Sequence, residues 1–245
     1  MSQMKQFESV ISGMAGKYRT WDIFRDFSEM SALSLSQVFN RQEEREQRYL
    51  SIASKYTENE LKCIAQLLAI TTEALEEKPQ DFLGKCYQSL ELSNKHSGQF
   101  FTPYHLCQMM AQMVAQPEAI HALEVGQYKM VNEPACGAGA NIIALFDHYR
   151  KQQVNANRRV FVVAQDIDSM CAHMCYVQLT LLDIPAQVII GNTLTLEARE
   201  VFNTPAAYLY GWNHRLKAKN DYQQVTPEAK PIISEAAPTV QLDLF

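Results

Sequence analysis

The chain has 245 residues, 47% of them hydrophobic, and a formal net charge of −5. That suits one sizeable α/β domain with a helical appendage. No run is long and apolar enough for a membrane span, and residues 1–10 lack the basic-then-apolar order of a secretory signal, so a cytoplasmic protein is expected. The acidic balance argues against a strong unaided grip on duplex phosphates, which calls for a basic face. The six cysteines include no Cys-x-x-Cys, so buried reduced thiols are expected. Cys171 and Cys175 stand one helical turn apart around His173, but without a fourth ligand no metal site is assigned.

Residues 1–95 read as a helical N-terminal region. There is no glycine between Gly16 and Gly84, and Leu61, Ile64, Leu67, Leu68 and Leu75 recur at three- and four-residue intervals, a stripe that needs a partner surface. Helices are expected over 22–30, 33–53, 58–75 and 81–92. The run from Arg41 to Arg48 mixes both signs of charge and reads as an exposed helix face.

Residues 96–220 read as an α/β domain, with a helix over 104–115 and strands over 130–133, 160–165, 187–190 and 207–210. The segment Glu133-Pro134-Ala135-Cys136-Gly137-Ala138-Gly139 leads from the first strand into an apolar helix. A glycine-spaced turn there lets backbone approach a ligand, and helix N-terminus and strand ends form a crevice. The second strand ends in Asp166-Ile167-Asp168, where such a fold places the acid that holds ribose hydroxyls. Asp166 is assigned that role, and Ile167 is assigned to pack against adenine. Asn192 follows the third strand in Gly191-Asn192-Thr193-Leu194, and its side-chain carbonyl can accept a hydrogen bond without charge.

These segments, in this order, resemble the adenine-N6 DNA methyltransferases, above all the modification subunits of type I restriction systems. Gly98-Gln99-Phe100-Phe101-Thr102-Pro103-Tyr104 is similar to the family's Gly-Gln-Phe-Tyr-Thr-Pro segment. Residues 133–139 are similar to its Asp-Pro-Ala-Cys-Gly-Ser-Gly, and residues 191–194 to its Gly-Asp-Thr-Leu. The resemblance implies a class I S-adenosylmethionine-dependent methyltransferase sheet of Rossmann-like α/β type, truncated relative to the full seven strands. It implies S-adenosylmethionine held by Phe101, Thr102, Pro103, Glu133, Pro134, Ala135, Gly137, Gly139, Asp166, Ile167 and Asn192.

The resemblance breaks where chemistry is expected. The family's Asn/Asp/Ser-Pro-Pro-aromatic tetrapeptide, which holds and stacks the flipped adenine, does not occur. Asn203, Pro205 and Tyr208 have the right chemical types at a stretched spacing. They are the catalytic candidates, beside the reading that residues 197–212 are a loop and a final strand with packed aromatics. Basic residues gather at Arg150, Lys151, Arg158 and Arg159, and again at His214, Arg215, Lys217 and Lys219. The second group contacts DNA backbone if the target cleft lies nearby; otherwise it is a solvated surface.

Residues 221–245 read as a flexible tail, rich in Pro, Ala, Glu, Thr and Gln. Its end, Gln241-Leu242-Asp243-Leu244-Phe245, closely resembles the Gln-Leu-Ser/Asp-Leu-Phe peptides by which bacterial replication and repair proteins dock on the DNA polymerase sliding clamp. Leu242, Leu244 and Phe245 would supply apolar anchors, and Gln241 the register. Two functions compete. One is a clamp-riding DNA adenine-N6 methyltransferase of a small phage or plasmid type, binding DNA weakly by itself. The other is a catalytically inactive derivative that modulates replication, repair or restriction through the clamp.

Overall fold

The computed structural model describes residues 2–90, 101–218 and 241–243. The N-terminal region forms α1 (Gln3–Met14), α2 (Thr20–Gln37), α3 (Glu43–Ala53), α4 (Glu58–Glu77) and α5 (Phe82–Ser89). The expected helices over 22–30 and 33–53 are thus redivided: α2 runs through 31–32, and the break falls at 38–42. Gln37 makes that break, since its side chain donates to the Gln42 carbonyl and accepts from the Gln42 amide at 2.8 and 2.7 Å. Local side-chain bonds of this kind compete with the helical ladder. At the start of α4, Thr57 and Glu60 form a reciprocal capping box, which satisfies two end amides.

A further pair of helices follows, α6 (Tyr104–Val114) and α7 (Pro117–His121), and then the sheet begins. Strand β1 (Lys129–Glu133) leads to α8 (Ala140–Lys151), β2 (Val160–Asp166) to α9 (Ser169–Leu181), and β3 (Ala186–Ile190) to β4 (Glu200–Asn203). Two short helices, α10 (Pro205–Leu209) and α11 (Trp212–Ala218), come next, and β5 (Gln241–Asp243) completes the sheet. The strand order is β4-β3-β2-β1-β5. β1, β2, β3 and β5 run parallel and β4 runs antiparallel to β3.

Side chains alternate across the sheet as period two demands. Val131, Val162, Ala164, Val188 and Ile190 join a core shared with α8, α9 and the helical region. The opposite face of β2 presents Phe161 and Val163 to a second cluster with Tyr128, Ala207, Trp212 and Leu216. The helical region is therefore continuous with the α/β core: α2 lies along α9, and Phe7 packs edge-on against Phe24, Phe27 and Phe82.

Two expectations fail here. Residues 207–209, read within a final strand over 207–210, belong to the helix α10, because Pro205 sits at its first position, where its missing N–H costs nothing. The strand that does form, β4, lies earlier. The Arg41–Arg48 run is exposed on one side only, at Arg41, Glu43, Glu44 and Gln47. Arg45 is 4% exposed, its Nε lies 3.1 Å from Glu200, its Nη2 donates to the Val201 carbonyl at 2.7 Å, and its guanidinium covers the Phe202 ring at 4.0 Å. Arg48 bridges Glu200 and Glu29 at 2.9 and 2.8 Å. So α3 seals the outer edge of β4.

Removing one partner of such a buried pair leaves the other uncompensated. Arg45→Ala is expected to lower stability by about 3 kcal/mol, and Arg41→Ala, at an exposed pair, by under about 0.5 kcal/mol. Urea titration of the two variants checks the contrast.

Candidate functional site

The chain leaves β1 at Glu133 and turns over the sheet before α8 begins. Two left-handed residues make the turn, Gly137 at φ +51° and Gly139 at φ +93°, the latter at the N-cap of α8. A Cβ on Gly137 would lie 3.0 Å from the Phe101 ring, and one on Gly139 3.1 Å from Cys175 Sγ. Both strain and crowding therefore demand glycine. Hydrogen bonds pin the turn, among them that of Cys136 N to the Gln165 carbonyl at 2.8 Å. Gly137 N donates to Asp166 Oδ2 at 2.8 Å, Gly139 N to the Cys136 carbonyl at 2.7 Å, and Gln178 Nε2 to the Ala138 carbonyl at 2.8 Å.

Glu133 lies beneath this turn, 1% exposed. Its carboxyl accepts from Asn141 Nδ2 at 3.1 Å and Ala135 N at 3.4 Å. Burial outweighs those bonds and pushes the carboxyl up to about 7, with Asp166 adding to the rise. Among the described residues, the buried Asn141 Oδ1 has no hydrogen-bond partner. A buried carboxyl beside an orphan acceptor is a pair suited to a cationic N–H donor.

Asp166 ends β2 and accepts from Gly137 N through Oδ2 and from Asp168 N, at 2.9 Å, through Oδ1. Burial again raises its carboxyl. Each oxygen keeps a second lone pair for an incoming hydroxyl. Beside it, Ile167 is 61% exposed, an apolar surface at the strand end. Asn192, past the end of β3, already accepts from Leu194 N at 3.0 Å. Thr193 Oγ1 donates to the Pro134 carbonyl at 2.7 Å, tying this turn to the first.

Phe101 closes the site from the helical side, packed between Gly137 and Tyr87, whose ring centroid is 5.2 Å away. Thr102 and Pro103 are exposed beside it, and Pro103 caps α6. Gly98, Gln99 and Phe100 lie outside the described residues. Phe101, residues 133–139, Asp166, Ile167 and Asn192 thus converge at the C-terminal ends of three parallel strands, a position where open α/β sheets bind ligands. Sequence reasoning missed Asn141, Gln178 and Tyr87. Asn141 carried one readable sign, its place in the first turn of α8.

Residues 78–228 match the family model of the N-6 DNA methylases. The chain belongs to that family. Among solved structures, it is similar to a Listeria monocytogenes protein assigned as a class I S-adenosylmethionine-dependent methyltransferase, at 13% identity and a TM-score of 0.44, over 79% of this chain and 53% of that one. It is also similar to the methyltransferase subunit of a type I restriction-modification system from Streptococcus thermophilus, at 12% identity and a TM-score of 0.36, over 78% of this chain and 58% of that one. The chain thus spans between half and three-fifths of the length of these two proteins. No curated protein matches it.

The catalytic candidates named from the sequence are not at the strand-end site. Because β4 is antiparallel, Asn203 pairs with Gln187 while Glu200 pairs with Ile190. Asn203 is therefore three residues, roughly 10 Å, back from the end of β3. Its side chain accepts from Gln187 Nε2 at 3.2 Å, Pro205 starts α10, and Tyr208 stacks on Phe39 with centroids 5.7 Å apart. Arg150, Lys151, Arg158, Arg159, His214 and Arg215 also stand toward the far end, and Lys219 lies outside the described residues. Arg215 lies 3.9 Å over Trp212 and donates to the Arg158 carbonyl at 2.7 Å, beside the start of β2. Of the tail, Gln241 and Leu242 pair with Met130 and Val131, while Leu244 and Phe245, like residues 221–240, lie outside the described residues.

The residues fit S-adenosylmethionine. Glu133 with Asn141 offers acceptors to the cationic methionine end, Asp166 offers acceptors to ribose, and Ile167 offers a surface for adenine. Among the described residues no group of three or more His, Cys, Asp or Glu is arranged to hold a metal, and no helix is long and apolar enough to cross a membrane.

Glu133 gives a stability test with a definite sign. Its folded-state value, about 7, exceeds the unfolded 4.5, so the native state holds the extra proton and stability falls as pH rises between the two. Glu133→Gln should stabilise the fold at pH 8, by on the order of 3 kcal/mol at most, and leave its stability unchanged near pH 4. Thermal scans at the two pH values measure the difference.

Proposed function

We propose that the chain binds S-adenosylmethionine at the ends of β1, β2 and β3, and that it is a DNA adenine-N6 methyltransferase-like protein which docks on the replication sliding clamp through residues 241–245. The observation that carries the cofactor reading is the convergence of the buried Glu133, the Gly137–Gly139 turn and Asp166 within one hydrogen-bonded unit. When bound, the cofactor supplies an activated methyl group on a sulfonium. Glu133 would then be drawn into its ionised form by the cationic end, Asp166 would accept the ribose hydroxyls, and Ile167 and Asn192 would hold adenine by packing and by a hydrogen bond.

One observation favours the non-transferring form of this reading. Asn203, Pro205 and Tyr208 are occupied in packing and hydrogen bonds at the opposite end of the strands, so they do not reach a base presented to the sulfonium. We infer a protein that retains the cofactor and acts through its partner. The clamp reading rests on the sequence of Gln241 to Phe245, with Gln as register and Leu and Phe as anchors. Tethering to a clamp on DNA raises the local DNA concentration and relieves an acidic protein of the need for a strong phosphate grip.

Calorimetry tests the cofactor first. S-adenosylmethionine should bind, more weakly as pH falls below 7, because Glu133 must give up its proton to meet the cation. Gly137→Val should abolish binding with the helical content intact, since its side chain would enter the Phe101 contact. Failure of both S-adenosylmethionine and S-adenosylhomocysteine to bind at millimolar concentration sinks the cofactor reading. Labelled cofactor with duplex and single-stranded DNA, with and without a loaded clamp, then separates transfer from binding alone: N6-methyladenine in the product would restore the enzyme.

The clamp is tested by Leu244→Ala with Phe245→Ala. Losing two buried anchors costs roughly 2 kcal/mol or more each, enough to weaken binding well over tenfold, while S-adenosylmethionine affinity stays the same. Undiminished clamp binding by the double variant would show the peptide to be a coincidence.

A further inference from the structure

One buried side chain joins the helical region to the glycine turn. Gln178, in the last turns of α9, is fully buried. Its Nε2 donates to the Ala138 carbonyl at 2.8 Å and to Asp81 Oδ1 at 2.9 Å. Its Oε1 accepts from Phe82 N at 2.8 Å and Leu83 N at 3.0 Å. An amide has two donor hydrogens and an oxygen with two lone pairs, so all four capacities are used. Asp81 is in turn the N-cap of α5, accepting from Gly84 N at 2.9 Å.

The bond to Ala138 differs in kind from the other three. Those bonds finish the first turn of α5, whose leading amides have no partner within the helix, and any residue supplying them would be structural. Ala138 lies between the two left-handed glycines, and its carbonyl direction fixes how the Gly137 and Gly139 peptides face the strand ends. The other bonds that pin the turn come from its own backbone, from β2 and from the turn after β3, whereas this one comes from the flanking helix α9. It anchors the turn to a helix that residue-by-residue motif matching would leave out of the site.

We propose that Gln178 is a positioning residue for the cofactor turn, holding Ala138 in place from α5 and α9 without touching the cofactor. The inference rests on the cofactor reading above for its functional consequence, and its test keeps the two apart.

Gln178→Glu removes both donors and sets a carboxylate against Asp81 and the Ala138 carbonyl. It should lose thermal stability and S-adenosylmethionine affinity together, which alone proves nothing about positioning. Adding Asp81→Asn ends the repulsion between like charges and can offer Nδ2 to the carboxylate now at position 178, in place of the bond from Gly84 N, because both contacts fall on the one Oδ1 atom. Ala138 remains without its donor. The double variant should therefore recover part of the thermal midpoint lost by Gln178→Glu, while S-adenosylmethionine affinity stays at least tenfold weakened and the Gly137 and Gly139 amides exchange with deuterium at least tenfold faster than in the wild type, measured relative to the β2 amides of the same protein. Recovery of affinity and amide protection in step with the midpoint would overturn the proposal and make Gln178 a structural residue only. If the wild-type protein binds no S-adenosylmethionine, amide exchange alone decides: faster exchange at Gly137 and Gly139 relative to β2 upholds the hold on the turn while the cofactor reading fails, and exchange that tracks β2 overturns the hold.

Discussion

A parallel sheet whose strands are apolar on both faces has to be covered on both faces, and the rest of this molecule follows from how that cover is found. On one side the crossovers α8 and α9 supply it, with α2 lying behind α9. On the other side Phe161 needs a lid, and the chain provides one from Ala207, Trp212 and Leu216. The segment that follows β3 is used in this way: β4 turns back antiparallel, Thr204 bonds to Ile184 and Ala186 at the base of β3, and α10 and α11 fold underneath. Residues 200–216 cannot both cover the second face at that end and stand beside the glycine turn. The displacement of Asn203 from the strand-end site is a packing result before it is a statement about chemistry.

Some of this was legible in the residues alone. The second and third strands are apolar runs bounded by turn signals, and Glu133, Asp166 and Asn192 close or follow the first three strands, so a parallel α/β reading placed them at one end of the sheet. The glycine turn was legible for the same local reason. Residues 205–209 were not, because Ala-Ala-Tyr-Leu suits a strand as well as a helix, and the choice fell to Pro205 and to burial against Phe161. The buried role of Arg45 was hidden in a charge run whose neighbours Arg41, Glu43 and Glu44 are exposed; only the tertiary partner Glu200, 155 positions away, distinguishes it. Gln178 gave no sign at all, since a single amide in an apolar helix acquires meaning only through what it meets.

The electrostatics of the strand-end site run against stability. Glu133 is buried and Asp166 half-buried, and burial raises both carboxyls. Among the described residues neither forms an ion pair, whereas Asp26 lies 2.7 Å from Arg25 and Asp147 2.6 Å from Lys151. Asp81 shows another solution for a buried acid, capping α5 and accepting from Gln178 without an ion pair. Asp166 adds to the rise at Glu133, a cost that a cationic ligand would relieve.

The edge of β1 bears on the partner in the same physical terms. Without β5, β1 would expose its outer backbone groups at the strand that carries the site, an arrangement sheets avoid by covering or pairing the edge. Gln241 to Asp243 cover it, in register with Met130 to Asn132. The same three residues belong to the peptide proposed to dock on the clamp, and one extended segment cannot pair with β1 and lie in a partner's pocket together. Docking then starts from the fraction of molecules whose tail has left the sheet, and its apparent affinity is lowered by that fraction.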